Sequence, residues 1–218
     1  MNPPARKIEW LVWGGLTLII ATVLLAFLLA QIKLHILLGK PPPVYGQVAD
    51  FALTNQNGQP VSLAGLRGHV WVADIIFTTC PGPCLNMTRQ MKQLQDFLPP
   101  RSQAKLVSLT TNPDFDTPRV LKAYAQRFGA DPNRWMFLTG AKKDIAALAT
   151  GSLKLTAIEK KAEEREDAND LFIHSTIFVI VDKHAQLRGV FETTGDEINP
   201  QKVKAQILAT VRRLEWER

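Results

Sequence analysis

The sequence predicts an α/β layered domain, with a central sheet covered by helices on both faces, behind one apolar N-terminal segment. From Val70 onwards, strand-like apolar runs alternate with segments of helical spacing. This alternation is typical of a sheet whose strands are linked by helices. Nearer the start, a run from Trp10 to Gln31 contains no charged residue. A chain of 218 residues has room for one domain of ordinary size in addition to that run.

The uncharged run has the length and composition of a membrane-spanning helix. It reads LVWGGLTLIIATVLLAFLLA over most of its length, and about 20 residues cross the roughly 30 Å hydrocarbon core of a bilayer. A cleavable signal peptide has a shorter apolar core, of about 7–15 residues, followed by a small-x-small cleavage site. The residues after Gln31 offer no convincing site of this kind. We therefore expect a tail at 1–9, an uncleaved anchor at 10–32, a proline-rich linker at 33–47 and the folded domain at 48–218.

The charges of the chain exclude one class of partner but do not orient the anchor. The net charge of +6 is spread along the chain without a basic and aromatic module, so we expect no nucleic acid as a partner. Arg6 and Lys7 before the anchor are matched by Lys33 and Lys40 after it, and the positive-inside rule therefore gives no answer.

Both cysteines lie in one stretch, WVADIIFTTCPGPCLNM. Its first part predicts a buried strand, so Cys80 and Cys84 follow the C-terminal end of that strand. Pro81 disfavours helical geometry at Cys80, and Pro83 suits the first position of a helix. Cys84 is therefore expected in the first helical turn, where the N–H groups and the positive helix end favour a thiolate. Such a pair binds metal or exchanges disulfides, whereas two cysteines serving only as small apolar residues would not need the prolines and glycine between them.

The remaining elements follow from similar patterns. The segment FALTNQNGQPVSL predicts a hairpin around Asn57-Gly58, and Thr117 and Gly129 are expected at the two ends of a helix. The charged run 158–170 is expected to be a solvated loop. We expect further strands at 105–110, 135–138, 171–182 and 186–191, and further helices at 142–153 and 199–214.

His174 is a candidate ligand because it lies at the start of the predicted strand 171–182. Ligand sites in open α/β sheets form in loops at one end of the sheet, so His174 can approach the two cysteines. Taken alone, it fits a hydrogen-bonded structural histidine better than a ligand. The histidines without such a setting are His35, His69 and His184.

Three segments of the sequence carry a resemblance to a known family. They are VWVADIIFTTCPGPCLNMT, TPRVLKAYAQRFGADPNRWMFLTG and IHSTIFVIVDKHAQLRGVFE. Together they resemble the Sco (SenC) family of copper-binding, thioredoxin-like assembly factors for cytochrome oxidase, over roughly 48–214. The most specific element is Cys-x-x-x-Cys followed about 90 residues later by His-Ser-Thr. One departure is that the family's usual Asp-Pro-Glu-x-Asp-Thr-Pro begins here with Asn112, which carries no charge.

The resemblance implies a thioredoxin-like fold and a copper site. It implies Cys80, Cys84 and His174 as copper ligands and Cys80 with Cys84 as a redox-active disulfide, and it leaves open whether the metal is Cu(I), Cu(II) or both. The implied partners are the copper-bearing subunit of cytochrome oxidase, a copper donor protein and the membrane through residues 10–32. The implied location is the inner membrane, single-pass, with the domain on the periplasmic side, where a thiol pair can cycle through a disulfide.

The chemistry of the three candidate ligands agrees with this resemblance. Two thiolates and one imidazole form a soft, low-coordinate set that suits Cu(I), whereas structural zinc takes four such ligands. The sequence therefore predicts a copper chaperone more than an enzyme. The alternative is a thiol-disulfide oxidoreductase that reduces the cysteines of an oxidase copper site, for which the cysteine pair suffices without His174. A peroxidase is a third hypothesis, but Phe77 stands where the Thr-x-x-Cys pattern of a peroxidase needs threonine.

Overall fold

The computed structural model of the chain describes residues 4–38, 41–80, 82–159, 161, 163, 172–195 and 197–217. The chain divides into two compact units, Met1–Pro41 and Pro42–Arg218. The described part of the first unit contains one helix, α1, over Pro4–Leu38. Within the described residues it holds one stretch long and apolar enough to cross a membrane, Glu9–Lys33, with a mean hydropathy of 2.4. This length and composition are those of an anchor or of a signal sequence, and α1 extends beyond the predicted 10–32 at both ends.

The second unit is built on a mixed sheet of eight strands in the described residues, in the spatial order β1-β10-β9-β4-β5-β6-β2-β3. The strands β4, β5 and β6 are parallel, and β9 runs antiparallel to β4. A separate two-stranded sheet pairs β7 with β8. The strand bounds are β1 Gly46–Gln47, β2 Ala52–Asn55, β3 Pro60–Ser62, β4 Trp71–Ile76, β5 Lys105–Thr110, β6 Trp135–Thr139, β7 Ala157–Glu159, β8 Phe172–His174, β9 Ile177–Val181 and β10 Gln186–Glu192.

Helices cover both faces of this sheet, because β4 and β5 are apolar on both faces and buried nearly throughout. The helix bounds are α2 Leu63–Leu66, α3 Pro83–Phe97, α4 Pro118–Arg127, α5 Lys142–Ala146 and α6 Pro200–Trp216. On one face of the sheet, buried residues of α3, α4 and α6 pack against the strands and form one hydrophobic core. On the other face, buried residues of α2 and α5 form a second core. The predicted fold class is therefore confirmed.

Most local predictions are also confirmed. Gly58 has a φ of +77° in the turn of the β2–β3 hairpin. The Thr117 hydroxyl accepts a hydrogen bond from the Val120 N–H at the start of α4. Gly129 follows the end of the same helix with a φ of +64°, a conformation that glycine adopts without strain. The predicted helix 142–153 begins as α5 and continues as a π-helical turn over Ala147–Ser152.

The prediction of one continuous strand over 171–182 is wrong. The chain leaves the ladder at Ser175 and Thr176, so β8 belongs to the small sheet and β9 to the large one. The Ser175 N–H donates to the Thr156 carbonyl at 2.8 Å, and the Thr176 carbonyl accepts from the Thr193 N–H at 2.9 Å. Ser175 is thus hydrogen-bonded to the chain before the small sheet's strand β7, and Thr176 to the chain after β10 of the large sheet. An apolar sequence pattern does not reveal this break between two sheets. The first two residues of the charged run 158–170, Ile158 and Glu159, belong to strand β7 and not to a loop. Most of the rest of the run lies outside the described residues.

The last residues of the predicted linker are hydrogen-bonded to the domain. The Tyr45 N–H donates to the Leu187 carbonyl at 2.8 Å, and β1 pairs with β10. The Pro42 carbonyl accepts from Nε and Nη2 of Arg188 at 3.1 and 3.0 Å. The folded unit therefore includes chain from Pro42 onwards.

Candidate functional site

The two cysteines lie in the loop and first helical turn that follow the central strand β4. The Cys80 N–H donates to the Phe77 carbonyl at 3.2 Å, which closes a turn directly after the strand. Pro83 is the first residue of α3, as its restricted φ favours. Cys84 is therefore in the first turn of α3, as predicted.

The sulfur atoms of Cys80 and Cys84 meet in the interior. Both thiols are reduced and buried, with 6% and 0% of their surfaces exposed. The two side chains are hydrogen-bonded to each other. The structure thus brings two of the three predicted ligands together.

The environment of Cys84 favours the neutral thiol. Its pKa lies well above its ordinary value, first because of the hydrogen bond with Cys80, then because of burial, with a smaller contribution from the charge of Asp74. A hydrogen bond with the backbone of Phe77 opposes these effects and is outweighed. The helix end, which favours a thiolate, therefore does not suffice to make Cys84 one in the metal-free domain, since pairing with Cys80 and burial raise the pKa.

A buried carboxylate fixes the loop that carries Cys80. Asp116 is fully buried and accepts hydrogen bonds from the Thr78 N–H at 3.2 Å and from the Thr78 hydroxyl. It also accepts from the Thr110 hydroxyl at 2.5 Å, at the end of β5. Burial raises the pKa of Asp116 and outweighs the opposite effect of the hydrogen bonds from Thr110 and Thr78. One side chain thereby joins the ends of β4 and β5.

A second network supports the first turn of α3. The Thr88 hydroxyl donates to the Cys84 carbonyl at 2.8 Å and shares a hydrogen bond of 2.9 Å with the Tyr124 hydroxyl from α4. Burial raises the pKa of Tyr124 well above its ordinary value, so it is neutral at physiological pH. The Cys84 carbonyl is therefore bonded by Thr88 of the same helix, and Tyr124 of α4 holds the Thr88 hydroxyl in place.

The backbone of His174 lies towards the same end of the sheet as the cysteines. It is the last residue of β8, paired with Ala157. Because β9 is antiparallel to β4, with Ala73 opposite Val179, the chain entering β9 comes from the end at which β4 finishes. The side chain of His174 lies outside the described part of the chain, so its role as third ligand stays a prediction. Among the described residues no group of three metal-ligating side chains occurs.

Sequence reasoning missed two carboxylates near the thiols. Asp74 is fully buried in β4, and its signal was a lone acid inside an apolar strand. The signal of Asp116 was its place in the Asp-Thr-Pro motif, although nothing in the sequence indicated the contact with Thr78. Asn112 is half-buried at the start of the same loop, and its N–H donates to the Thr110 hydroxyl at 2.9 Å.

Comparison with protein families decides the relationship of this chain. The SCO1/SenC family model matches residues 42–212. The chain belongs to the SCO1/SenC family. The resemblance inferred from three segments is thus confirmed, and the thioredoxin-like fold of the family's solved structures is the fold of this SCO1/SenC chain.

Three similar proteins illustrate the relationship. The SCO1 protein homolog of Bacillus subtilis (strain 168) is 35% identical over 162 residues, which are 72% of this chain and 81% of the relative. A putative copper-binding protein of Stutzerimonas stutzeri is 29% identical over 163 residues, which are 74% of this chain and 76% of the relative. The solved structure of BsSco is that of a member of the Sco family of cytochrome c oxidase assembly proteins in which a disulfide switch was identified. It is 28% identical with a TM-score of 0.64 and covers 82% of this chain and 98% of its own.

Proposed function

We propose that this SCO1/SenC chain is a copper chaperone that holds one copper ion through Cys80, Cys84 and His174 and delivers it to cytochrome c oxidase during assembly. The observation that carries the proposal is the contact between two reduced, buried thiols at the end of the central strand. Two thiolates and an imidazole suit Cu(I), and three ligands leave the metal accessible to a ligand from a partner. The names of two relatives, one copper-binding and one concerned with oxidase assembly, support the same role.

The proposal includes a location and partners. Residues 10–32 span the inner membrane as an uncleaved anchor, and the domain lies on the periplasmic side. A periplasmic domain is in an oxidising compartment, in which the thiol pair can cycle through a disulfide. The partners are a copper donor protein and the copper-bearing subunit of the oxidase.

Copper titration of the full chain in detergent, reduced and then oxidised, tests the ligand assignment. We expect one copper ion per reduced chain and almost none once a disulfide joins Cys80 and Cys84, because the bridge consumes both sulfur ligands. A competing Cu(I) chelator gives the affinity. Equal copper affinity in the two forms would show that these sulfurs are not the ligands.

His174→Ala tests the third ligand. Loss of a direct ligand should weaken Cu(I) binding by at least the roughly 10–100-fold that follows disturbance of a residue behind a ligand. The matched control is His184→Ala, which removes an exposed histidine in the turn between β9 and β10 and should leave affinity unchanged. Equal affinities of the two variants would remove His174 from the site.

A thiol-disulfide oxidoreductase is the second candidate, and the contact between the two sulfurs favours it. In that reaction the two thiols lose two electrons and two protons as they form a disulfide, and a disulfide of the partner gains them. The name of one relative reports a disulfide switch. Because exchange depends on the thiols and their access, His174→Ala should leave it within a few-fold. If that variant supports oxidase assembly at native levels under limiting copper, this second function is the main one.

A further inference from the structure

A groove of about 560 Å³ lies at the end of the sheet where β4 and β5 begin. The cysteines follow the opposite end of β4, about 20 Å away for a strand of six residues. The groove is formed by residues just before β4 and β5, by the turn after β9 and by the end of α6. Its polar and aromatic lining includes His69, Arg101, Gln103, Lys183, Arg212 and Trp216.

The groove presents positive charge to solvent. Arg101 and Arg212 are exposed on its walls. The one carboxylate of the described lining, Glu215, is half-buried, and its Oε1 accepts from the Ser102 hydroxyl at 2.9 Å and from the Gln103 N–H at 2.8 Å. The ammonium group of Lys183 lies beside the last turn of α6, where it donates to the Glu215 carbonyl at 3.3 Å. With three cationic side chains and one carboxylate among its described lining residues, the groove carries a net positive charge.

An exposed tryptophan accompanies this charge. Trp216, at the end of α6, is 82% exposed, although indole rings usually bury most of their surface. Tryptophan combines a large apolar ring with one N–H donor, and it is enriched at the interface between lipid and water. Exposed cations beside an exposed indole fit the headgroup layer of a membrane that contains anionic lipids.

The folded unit receives its N-terminal chain beside the groove. Arg188 binds the Pro42 carbonyl and also pairs with Glu217 at 3.1 Å, the residue that follows Trp216. Only three residues separate Leu38, the last residue of α1, from Pro42. Four consecutive Cα spacings of about 3.8 Å bridge at most about 15 Å. The chain from the proposed anchor therefore enters the domain at this end of the sheet, and not at the cysteine end.

We propose that the groove binds anionic phospholipid headgroups and so orients the domain with its cysteines away from the bilayer. This inference rests on the proposed role of α1 as an uncleaved anchor. It adds a second, electrostatic attachment to the covalent one, and it leaves the thiol site open to soluble and membrane-bound partners. The favoured occupant is a lipid surface and not an acidic protein, because exposed cations lie beside an exposed indole and because the chain from the proposed anchor enters the domain at this end.

The test uses the full chain in nanodiscs of phosphatidylcholine alone or with 30 mol% phosphatidylglycerol, each containing a gadolinium-labelled headgroup lipid. The readout is the paramagnetic broadening of the Trp216 indole N–H signal, assigned with Trp216→Phe. We expect stronger broadening with phosphatidylglycerol than without it. In R101E/R212E we expect the equilibrium constant between the lipid-bound and the free groove to fall by about fivefold or more for each cation lost.

The matched control is R119E/K122E, which makes the same charge change at exposed positions of α4, a helix that begins at the cysteine end of the sheet. This control should keep the broadening that depends on phosphatidylglycerol. Broadening that is equal with and without phosphatidylglycerol would overturn the proposal, and so would broadening that is equal in the two double variants. Either result would also be expected if the true occupant of the groove were an acidic protein. Copper titration of the same nanodiscs separates the lipid proposal from the copper proposal. R101E/R212E should bind copper normally. If the native chain fails to bind copper, the result contradicts the proposed thiol site and not the lipid-binding groove.

Discussion

Asp116 and Thr78 are joined by two hydrogen bonds, one from the backbone N–H of Thr78 and one from its hydroxyl. Thr78 lies two residues before Cys80, whereas Asp116 lies in the loop after the neighbouring strand β5. The contact therefore fixes the loop of one proposed copper ligand from outside the stretch that contains both cysteines. Asp116 acts on the thiol site as a positioning residue, through Thr78.

We expect Asp116→Ala to destabilise the domain and weaken copper binding. It leaves the buried Thr110 hydroxyl and the half-buried Thr78 N–H without this acceptor, and a buried group left in that way costs about 1–3 kcal/mol. Asp116→Asn is the matched variant, because its amide oxygen can still accept from Thr78. Urea unfolding and competitive Cu(I) titration measure the two effects. If the Ala variant binds copper as tightly as the Asn variant, the loop does not need this contact.

The stability of the native chain should depend on pH through Asp116. Burial raises the pKa of this carboxyl in the folded chain above its usual value of 3.8, so the folded chain binds the proton more tightly than the unfolded chain. The resulting stabilisation is fully present below the unfolded pKa and is lost as pH rises through the folded pKa. The unfolding free energy of the native chain minus that of Asp116→Asn should therefore decrease as pH rises from about 3.8. A difference that is constant or rises with pH would contradict this.

Copper affinity should fall on acidification. The pKa of Cys84 is raised in the folded chain, so at neutral pH copper must displace a proton from this sulfur. One displaced proton lowers the apparent affinity about tenfold for each unit decrease in pH, and a second proton from Cys80 would double the slope. Cu(I) competition between pH 6 and 8, with a chelator corrected for its own protonation, measures it. An affinity that does not change with pH would exclude a thiol proton as the competitor.

Arg188→Met should be strongly destabilising. The Arg188 guanidinium is buried and pairs with Asp182 at 2.6 Å, and removal of one member of a buried pair costs about 3–5 kcal/mol. Arg188→Lys is the control that keeps the charge but cannot bind both Asp182 and the Pro42 carbonyl, so we expect an intermediate loss. Urea unfolding of the three proteins gives the order. A Met variant as stable as the native chain would show that the pair contributes nothing.

The fold could be predicted because local patterns and layer architecture agree along most of the domain. The prolines at 83 and 118 each begin a helix, and the hairpin at Asn57-Gly58 forms where its turn residues indicate. The apolar pattern of 171–182 does not predict the break at Ser175 and Thr176. Nothing in it indicates that the residues before the break join the small sheet and those after it the large sheet. Likewise, spacing predicts a helix at 142–153 but not its change to a π-helical turn.

The site could be predicted in part. The positions of Cys80 and Cys84, in a loop and in the first turn of α3, are predicted correctly. They depend on the end of the preceding strand and on the two nearby prolines, all within a few residues. The protonation of Cys84 could not be predicted, because its neighbours Cys80 and Asp74 approach only in the folded chain. For the same reason the contact between Thr78 and Asp116, 38 residues apart, has no counterpart in local sequence.

The short strand β1 has a consequence for the solubility of any shortened form of this protein. It pairs with the outer edge of β10, and the hydrogen bond from Tyr45 to Leu187 extends this pairing by one residue. A protease that cut after Gln47 would uncover part of that edge, and unpaired strand edges recruit further chains. The released domain would then be prone to edge-to-edge aggregation, so a cut that frees a soluble domain has to fall before Pro42.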